Sequence, residues 1–468
     1  MKAKENKLSH AAETDSLGVD VSAILDASRF GAVQCTVLAF TFFALVMDGF
    51  DIQAIAFAAP ALTKIWAIER SVLGPVFAAA LLGMVIGAAG IGLVGDSYGR
   101  KSALILSSAL VGLGSLASSL ARGPIELAVL RLLTGIGLGG VLPNSTALMF
   151  EFAPKAWRQI ATAAALVGVL IGGMVGAAIA KSLIPLFGWR ALFVVGGMIP
   201  ALLACVMLPF LPESPRYLAG RQTAASKLAD LMNRICATDR YTASSRFVVV
   251  AAPRDAGASS VAAIFGSGYL RDTLTLWAIF FTNVFSVYFF FNWLPTVLAA
   301  AKLDFGLAVT GSFVFNLGGV IGALVGSALI TRAGSKGVLA AFGAGSVASV
   351  IAIAANPVFG TDHVNGGIPL LIWCMAAAGC CINALQIGMF SVAAHAYPTF
   401  CRSTGVGWSL AIARFGGILS AFAGASFFAL GLTDRNFFLV IASMLAFALL
   451  GVLALRRHIP ATTRETIP

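Results

Sequence analysis

The stretch VQCTVLAFTFFALVMDGFDIQAIAFAAPAL, from Val33 to Leu62, places two acidic residues inside a long apolar run. Asp48 and Asp51 lie three residues apart, with apolar sequence on both sides. A carboxylate near the centre of a bilayer costs roughly 2.5–3.5 kcal/mol, so two together imply a function. Residues three apart share one face of a helix. We therefore expect both carboxylates to face a polar cavity, as in a transporter that handles protons.

The composition is that of a membrane protein. Of the 468 residues, 59% are hydrophobic and 11% are charged, and the mean hydropathy is +0.92. Crossing a hydrocarbon core of about 30 Å takes about 20 apolar residues of helix. Twelve runs are long enough, and only a helix satisfies the backbone of such a run in lipid, so we predict an all-α membrane protein with twelve transmembrane helices. The runs cover residues 33–60, 73–95, 102–121, 125–150, 160–187, 189–211, 272–300, 308–331, 337–359, 368–394, 404–431 and 436–455.

The net charge of +11 is distributed by membrane side. With the amino terminus placed in the cytoplasm, roughly three times as many of the 31 Lys and Arg residues fall in inner loops as in outer loops. Arg131 and Arg414 fall within the predicted spans. This bias predicts a multi-pass protein of the cell inner membrane with both termini in the cytoplasm, and it argues against a nucleic-acid partner.

Cysteines and histidines give no sign of a cofactor, metal or catalytic site. The seven cysteines lie in predicted spans or on the inner side, without metal-ligand spacing. The four histidines are scattered, so a membrane enzyme would lack a nucleophile–base pair. A membrane sensor would need an output domain, and the longest inner segment, 212–271, is too short for most such modules. We expect neither a cofactor nor an enzymatic activity.

The spans divide into two sets of six around a polar segment. Apolar residues at helical spacing predict a short amphipathic helix within that segment: Leu228, Leu231, Met232 and Ile235. The predicted units are a cytoplasmic N-terminal segment (1–32), an N-terminal six-helix bundle (33–211), a cytoplasmic central loop (212–271), a C-terminal six-helix bundle (272–457) and a cytoplasmic tail (458–468).

Two short patterns recur in corresponding places of the halves. Gly-Arg-Lys at 99–101 follows the second span, and Gly-Ser-Lys at 334–336 follows the eighth. A Pro with an Arg four residues later follows the fourth span at 154–158 and the tenth span at 398–402. The shared slots indicate an internal duplication, which places a substrate site between the two halves near the midplane.

Two strings resemble signatures of the major facilitator superfamily. The first inner loop reads GLVGDSYGRK from Gly92 to Lys101, similar to the signature of Gly, three residues, Asp and then Gly-Arg-Lys, although Ser97 replaces the usual basic residue. The fourth span reads RLLTGIGLGG from Arg131 to Gly140, similar to the second signature. The resemblance implies the major facilitator fold, two six-helix bundles related by pseudo-symmetry.

More narrowly, the chain resembles the aromatic acid/proton symporter family, typified by uptake proteins for benzoate and 4-hydroxybenzoate. The resemblance rests on Asp48-Gly-Phe-Asp51, on Leu142-Pro143-Asn144 and on the stretch 397–417. That family usually has an Asp-Arg pair after the eighth span, where this chain has Thr and Arg at 331–332. The resemblance implies a small aromatic acid and protons as partners, and we expect the protein to act as a monomer in the lipid bilayer.

Three charged residues are predicted to take part in proton coupling: Asp48, Asp51 and Arg131. A carboxyl group removed from water can hold a proton at neutral pH, and the resemblance implies a role for both aspartates in proton coupling or substrate binding. Alternatively, one of them caps a helix break around Gly49. Arg131 is expected either to join a proton relay or to pair with the aspartates.

Three further residues are predicted to bind the substrate: Arg414, Asn383 and Gln386. Arg414 lies near mid-membrane in the eleventh span, where a guanidinium needs a carboxylate partner. That partner is the substrate or, alternatively, an acidic residue of the other half. Asn383 and Gln386 share one face of the tenth span and could bind a ring hydroxyl, a carboxylate or a neighbouring helix.

The inner loops contain a predicted conformational latch. Asp96 and Arg100 are expected to hold one state of the transport cycle, while Glu151 and Arg158 act as charge partners around the next inner loop. The full predicted set is Gly92, Asp96, Gly99, Arg100, Glu151, Arg158 and Arg402.

An aromatic acid is an anion at neutral pH, so a negative-inside potential opposes its entry by about 2.3 kcal/mol per charge per 100 mV. One proton cancels that opposition and a second favours uptake. We therefore predict symport with protons of an aromatic carboxylic acid, such as benzoate or a hydroxybenzoate, by alternating access. The alternative is a proton-coupled carrier of a non-aromatic organic acid or a sugar-like solute, since the string PESPRYL from Pro212 also occurs in such carriers.

Overall fold

The computed structural model describes residues 19–221, 224–242, 244–245, 247–248, 264–266, 268–359, 367–398 and 401–461. In that part of the chain, twelve helices are long and apolar enough to cross a membrane, as predicted. They are α1 (Ala32–Ile65), α2 (Leu73–Tyr98), α3 (Arg100–Ser118), α4 (Pro124–Phe152), α5 (Arg158–Phe187), α6 (Trp189–Phe210), α7 (Leu270–Ala300), α8 (Phe305–Ala333), α9 (Ser335–Ala354), α10 (Gly367–Ala396), α11 (Arg402–Ala429) and α12 (Asp434–Ala454).

Short elements surround the long helices. The amphipathic helix predicted in the central loop is confirmed as Ala225–Cys236, and it buries Leu228, Leu231 and Met232. Helices Val21–Ala27 and Pro215–Ala219 precede α1 and follow α6, respectively. Two-residue strands pair in parallel, β1 (Val19–Asp20) with β2 (Phe247–Val248), and tie the segment before α1 to the central loop.

The first six and the last six long helices pack in the same pattern. In the first half, α1 packs on α5, α2 packs on α4, and α3 packs on both α4 and α6. In the second half, α7 packs on α11, α8 packs on α10, and α9 packs on both α10 and α12. Each pairing of the second half repeats one of the first half six helices later. The predicted pair of pseudo-symmetric bundles is therefore confirmed.

Matching glycines turn the chain between helices in both halves. Gly99 alone separates α2 from α3, and Gly334 alone separates α8 from α9. Their φ angles are +101° and +77°, a region that side chains larger than hydrogen rarely adopt. The backbone of these one-residue links explains why a glycine recurs at this place in the two halves.

Contacts between the halves are concentrated at one end. We call the end with the links at Gly99 and Gly334 the loop end and the opposite end the far end. The halves touch through the pairs α1–α7, α2–α11 and α5–α8. In the described ranges, the side-chain hydrogen bonds and ring contacts between halves lie at mid-height or toward the far end: Gln53–Asn316, Lys181–Thr310, Phe77–Trp293, Arg70–Phe428 and Arg414–Met84. In this conformation the halves are joined at the far end.

Candidate functional site

The middle of α1 is buried without interruption from Ala44 to Ala59. A Cβ atom at Gly49 would overlap the carbonyl oxygen of Val169 in α5, so α1 and α5 approach this closely only because residue 49 has no side chain. The helix continues unbroken through Gly49. The alternative that an aspartate caps a break there is therefore wrong.

Asp51 is enclosed within the first half. Its carboxylate lies 2.9 Å from Nη1 of Arg131 in α4 and accepts a hydrogen bond from the Ser115 hydroxyl in α3. Arg131 also donates from Nη2 to the Ser118 hydroxyl and to the Thr134 hydroxyl, each at 2.9 Å. Both charged side chains are only 1% exposed. Of the two roles left open for Arg131, the geometry realises the pairing with an aspartate.

Asp48 has a different environment. It is 3% exposed, and its Oδ1 atom has no hydrogen-bond partner among the described residues. Arg414 and Tyr288, both from the second half, lie close enough to interact with it electrostatically. Residues three apart on a helix differ by about 60° in direction, enough for Asp48 to face the seam while Asp51 faces its own bundle. This differs from the expectation that both carboxylates face one cavity.

Arg414 lies at the seam between the halves, near the middle of α11. It is partly exposed, its Nη1 atom lies 3.5 Å from the Met84 sulfur in α2, and it forms no salt bridge with any described residue. The alternative of a fixed ion pair with the other half is therefore not realised in this conformation. A guanidinium without a carboxylate partner is suited to bind the carboxylate of a ligand in two-pronged fashion.

The two amide side chains of α10 that were predicted to bind the substrate form hydrogen bonds within the protein. Gln386 is partly exposed and accepts a hydrogen bond from Asn283 of α7, with the nitrogen and oxygen 2.6 Å apart. Asn383 donates to the carbonyl of Gly379 within its own helix at 2.9 Å. The helix-to-helix alternative is thus realised for Gln386 in this conformation, and the role of both amides in substrate binding stays a prediction.

Two amide side chains of the seam were not identified from the sequence. Gln53 of α1 and Asn316 of α8 exchange two hydrogen bonds, at 3.2 and 2.9 Å, and both side chains are buried. Tyr288 of α7 is partly exposed and lies near Asp48 and Arg414. The available signal was a polar side chain within an apolar run, and for Gln53 its position two residues after Asp51.

Most predicted latch residues lie together at the loop end. Arg100 pairs with Asp96 at 2.6 Å and reaches Glu151 of α4 at 3.6 Å. Arg158 pairs with Asp26 at 2.5 Å, a partner from the short helix before α1 that the sequence pattern did not indicate. The first two ion pairs connect α2, α3 and α4, and the third connects α5 with the short helix that precedes α1.

The segment after α6 completes this cluster. The Glu213 carboxylate accepts a hydrogen bond from the backbone N–H of Lys101 at 3.1 Å, and Ser214 donates its hydroxyl hydrogen to Glu151. Burial raises the pKa of Glu213. A Cβ atom at Gly99 would overlap the Glu213 carboxylate, so a side chain there would displace Glu213 in addition to straining the backbone.

Two predicted latch residues are placed elsewhere. Arg402 lies at the start of α11 in the second half, where its Nε atom donates to the carbonyl of Tyr397 at 3.4 Å. Gly92 lies on α2 in open surroundings, and nothing in the structure explains a glycine there. The structure therefore brings Asp96, Gly99, Arg100 and Glu151 together, with Arg158 next to them.

Comparison with known proteins identifies the family. The Major Facilitator Superfamily profile matches residues 41–421. The chain is 37% identical over 414 residues to the 4-hydroxybenzoate transporter PcaK of Pseudomonas aeruginosa, covering 88% of this chain and 90% of that protein. It is 34% identical over 439 residues to the gallate transporter of Pseudomonas putida, covering 93% and 95%.

A solved structure shares the fold. The xylose transporter XylE from E. coli, in a partially occluded inward open conformation, superposes with a TM-score of 0.70 at 16% sequence identity, covering 90% of this chain and 97% of that chain. Helix number, internal pseudo-symmetry and sequence matches agree. The chain is therefore a member of the major facilitator superfamily and, within it, of the aromatic acid/proton symporter family.

Proposed function

We propose that this protein is a symporter that takes up an aromatic carboxylic acid together with protons across the cell inner membrane by alternating access. The observation that carries the proposal is the pair formed by Asp48 and Arg414 on opposite halves. Among the described residues, one oxygen of the buried Asp48 carboxylate has no hydrogen-bond partner, and Arg414 forms no salt bridge. Relatives named as transporters of 4-hydroxybenzoate and gallate support an aromatic acid as the substrate.

In this proposal the substrate carboxylate binds the guanidinium of Arg414. The aromatic ring of the substrate then lies beside the Met84 thioether and the ring of Tyr288, two groups that pack favourably on an aromatic face. The ring of Tyr288 lies against Gly417 of α11, where a Cβ atom would come within 3.1 Å of it. The site thus combines one strong charge contact with an apolar slot.

Asp48 is the proposed binding site of the transported proton. When a substrate anion occupies Arg414, the two charges neutralise one another, and Arg414 no longer balances a charge on Asp48. Proton binding and anion binding therefore favour each other, which is the thermodynamic condition for symport. The neutral, loaded site can then pass between the two membrane faces without moving net charge through the apolar seam.

Asp51 and Arg131 receive a positioning role in this mechanism. Their hydrogen bonds join α1 to α3 and α4 and are complete within one half. A buried ion pair with satisfied hydrogen bonds is costly to break, so it fixes α1 rather than exchanging protons in each cycle. Of the three residues predicted to take part in proton coupling, only Asp48 is therefore proposed to bind the transported proton.

The placement of charge supports an orientation in the membrane. We assign the loop end to the cytoplasm, in agreement with the excess of basic residues predicted for the inner loops. The conformation joined at the far end is then the inward-facing one, and the loop-end cluster around Arg100 would hold the opposite state. One chain contains both halves and the site between them, so a monomer is sufficient for transport.

The experiment that tests this function is transport in proteoliposomes. Purified protein is reconstituted, a pH gradient is imposed, and uptake of labelled 4-hydroxybenzoate is followed over time. We expect the labelled substrate to accumulate inside the vesicles when the compartment that supplies it is acidic. A protonophore should abolish this accumulation. As a matched control, Arg240→Gln removes an exposed charge from the central loop (212–271) and should transport like the wild type.

Competition distinguishes the alternatives. Unlabelled benzoate and gallate should compete with the labelled substrate, whereas xylose should not. Inhibition by xylose alone would show that the substrate is a sugar and not an aromatic acid. Uptake that is indifferent to the pH gradient would contradict coupling to protons.

A further inference from the structure

A basic cleft lies at the loop end of the second half, apart from the seam. It has a volume of about 550 Å³ and opens to the surface. No acidic side chain is among the described residues that line it. Its polar lining comes from the start of α7, the end of α10, the start of α11 and the segment after α12: Tyr269, His395, Arg402, Arg456, Arg457 and His458.

One of the three arginines is part of the wall. Arg457 lies 3.4 Å from the Asp272 carboxylate and stacks over the ring of Tyr269 at 3.9 Å. It also donates hydrogen bonds to the carbonyl oxygens of Ala396 and Gly268, each at 3.1 Å. Its charge is therefore compensated and its position is fixed, which gives the cleft a defined side.

The other two arginines carry uncompensated charge. Arg402 and Arg456 are exposed, and neither forms a salt bridge with any described residue. The Nε atom of Arg402 donates to the carbonyl of Tyr397, which orients the guanidinium beside the cleft. The backbone N–H of Arg456 donates to Asp272 at 3.1 Å, so the start of its side chain is anchored. Two positive charges thus border one opening.

We propose that this cleft binds a phosphate-bearing anion through Arg402 and Arg456. A planar guanidinium offers two parallel N–H donors that match two oxygens of a phosphate group. An anion held by both arginines would connect the start of α11 to the segment after α12. The cleft lies at the ends of membrane-spanning helices, where a lipid headgroup and a soluble phosphate compound offer the same chemistry.

This inference is independent of the proposed transport function, since the cleft is formed by one half and includes none of Asp48, Tyr288 or Arg414. It would hold whichever solute passes between the bundles. Failure of the transport assay would therefore leave this proposal standing, and the reverse also applies.

The test measures binding of two probes to the full-length protein in neutral detergent. Inorganic phosphate is titrated by calorimetry, and phosphatidylglycerol retention is compared with phosphatidylcholine retention by native mass spectrometry. We expect one of the anionic probes to bind, with an affinity about fivefold weaker in Arg456→Gln and weaker still in Arg402→Gln/Arg456→Gln. Binding should also weaken as the sodium chloride concentration rises.

Control variants make the result specific. Arg456→Lys keeps the charge but loses the planar fork, so it should fall between the wild type and Arg456→Gln. Arg240→Gln removes an exposed arginine outside the cleft and should bind like the wild type. Thermal unfolding of each variant checks that the fold is retained.

The outcomes separate the two sources. Phosphate binding that depends on Arg456 assigns the cleft to a soluble phosphate compound, and phosphatidylglycerol retention that depends on Arg456 assigns it to a lipid headgroup. If the wild type and Arg402→Gln/Arg456→Gln bind both probes equally, or if neither probe binds the wild type, the proposal is overturned.

Discussion

Two acidic residues of α1 each lie near an arginine, and the two pairs differ in which half supplies the arginine. Asp51 and Arg131 belong to the same half, lie 2.9 Å apart and are enclosed by hydroxyl groups. Asp48 and Arg414 belong to different halves and form no salt bridge, and one oxygen of Asp48 has no hydrogen-bond partner in the described part of the chain. A complete buried pair supports structure, whereas an incomplete one can still accept a proton or an anion. The pair formed within one half thus has a structural role, and the pair formed between the halves is available for binding.

Replacing Arg414 is expected to have the largest effect on transport. We expect Arg414→Gln to lower the rate of labelled 4-hydroxybenzoate uptake about a hundredfold, because removal of a charge partner from a desolvated carboxylate costs about 2–5 kcal/mol. Arg414→Lys keeps the charge without the planar fork and should retain part of the activity. Wild-type uptake by Arg414→Gln would remove the incomplete pair from the mechanism.

Loss of Asp51 should act on stability. Asp51→Asn leaves the Arg131 charge buried without a counterion, which costs about 3–5 kcal/mol of unfolding free energy. The double variant Asp51→Asn/Arg131→Gln should lose less than the sum of the single variants, because it leaves no isolated charge. Thermal unfolding in detergent measures both. A perfectly additive double variant would show that the two side chains do not act as a pair.

Asp48 provides the contrasting test. Asp48→Asn should unfold close to the wild-type temperature, since no hydrogen bond to its Oδ1 is lost. The variant should exchange labelled for unlabelled substrate across the membrane but should fail to accumulate it against a gradient, since the amide binds no proton. Counterflow and gradient-driven uptake in the same vesicles separate these steps. Normal accumulation would show that the proton binds elsewhere.

The smallest expected effect concerns the neutral pair between halves. Gln53→Leu leaves the Oδ1 atom of Asn316 without its hydrogen-bond donor, while its Nδ2 atom still donates to the carbonyl of Ser312. The loss disfavours the conformation joined at the far end by about 1–3 kcal/mol. Spin labels at the exposed far-end positions Glu69 and Thr433 should report a larger population at long distance. Gln53→Leu/Asn316→Leu should return toward the wild type, because both polar groups are then gone. Unchanged distances in all variants would show that the amides do not hold this end closed.

The sequence was sufficient for the helices because apolar length is a local property. The predicted run 125–150 became α4 (Pro124–Phe152), and the run 33–60 became α1 (Ala32–Ile65). The duplication was also visible, since Gly99 and Gly334 need an unusual backbone at matching links. Such signals depend on a few neighbouring residues, so a single sequence is enough to detect them.

Partner choice could not be predicted from spacing. Ser115 and Arg131 reach Asp51 from 64 and 80 residues further along the chain, and the packing of α3 and α4 decides that they do. The parallel strand pair between β1 and β2 was missed for a similar reason, since two-residue strands carry no period. Three-residue spacing correctly placed Asp48 and Asp51 near one another and could not tell which bundle each would face.

The one-residue links at Gly99 and Gly334 have a mechanical consequence. With no slack between α2 and α3 or between α8 and α9, neighbouring helices cannot slide past one another at the loop end. Because α2 and α3 also pack on α4, and α8 and α9 pack on α10, we expect each bundle to tilt as a unit about the middle of the bilayer. Widening of the gap at one surface then narrows it at the other, so that the pathway is not open to both surfaces at once.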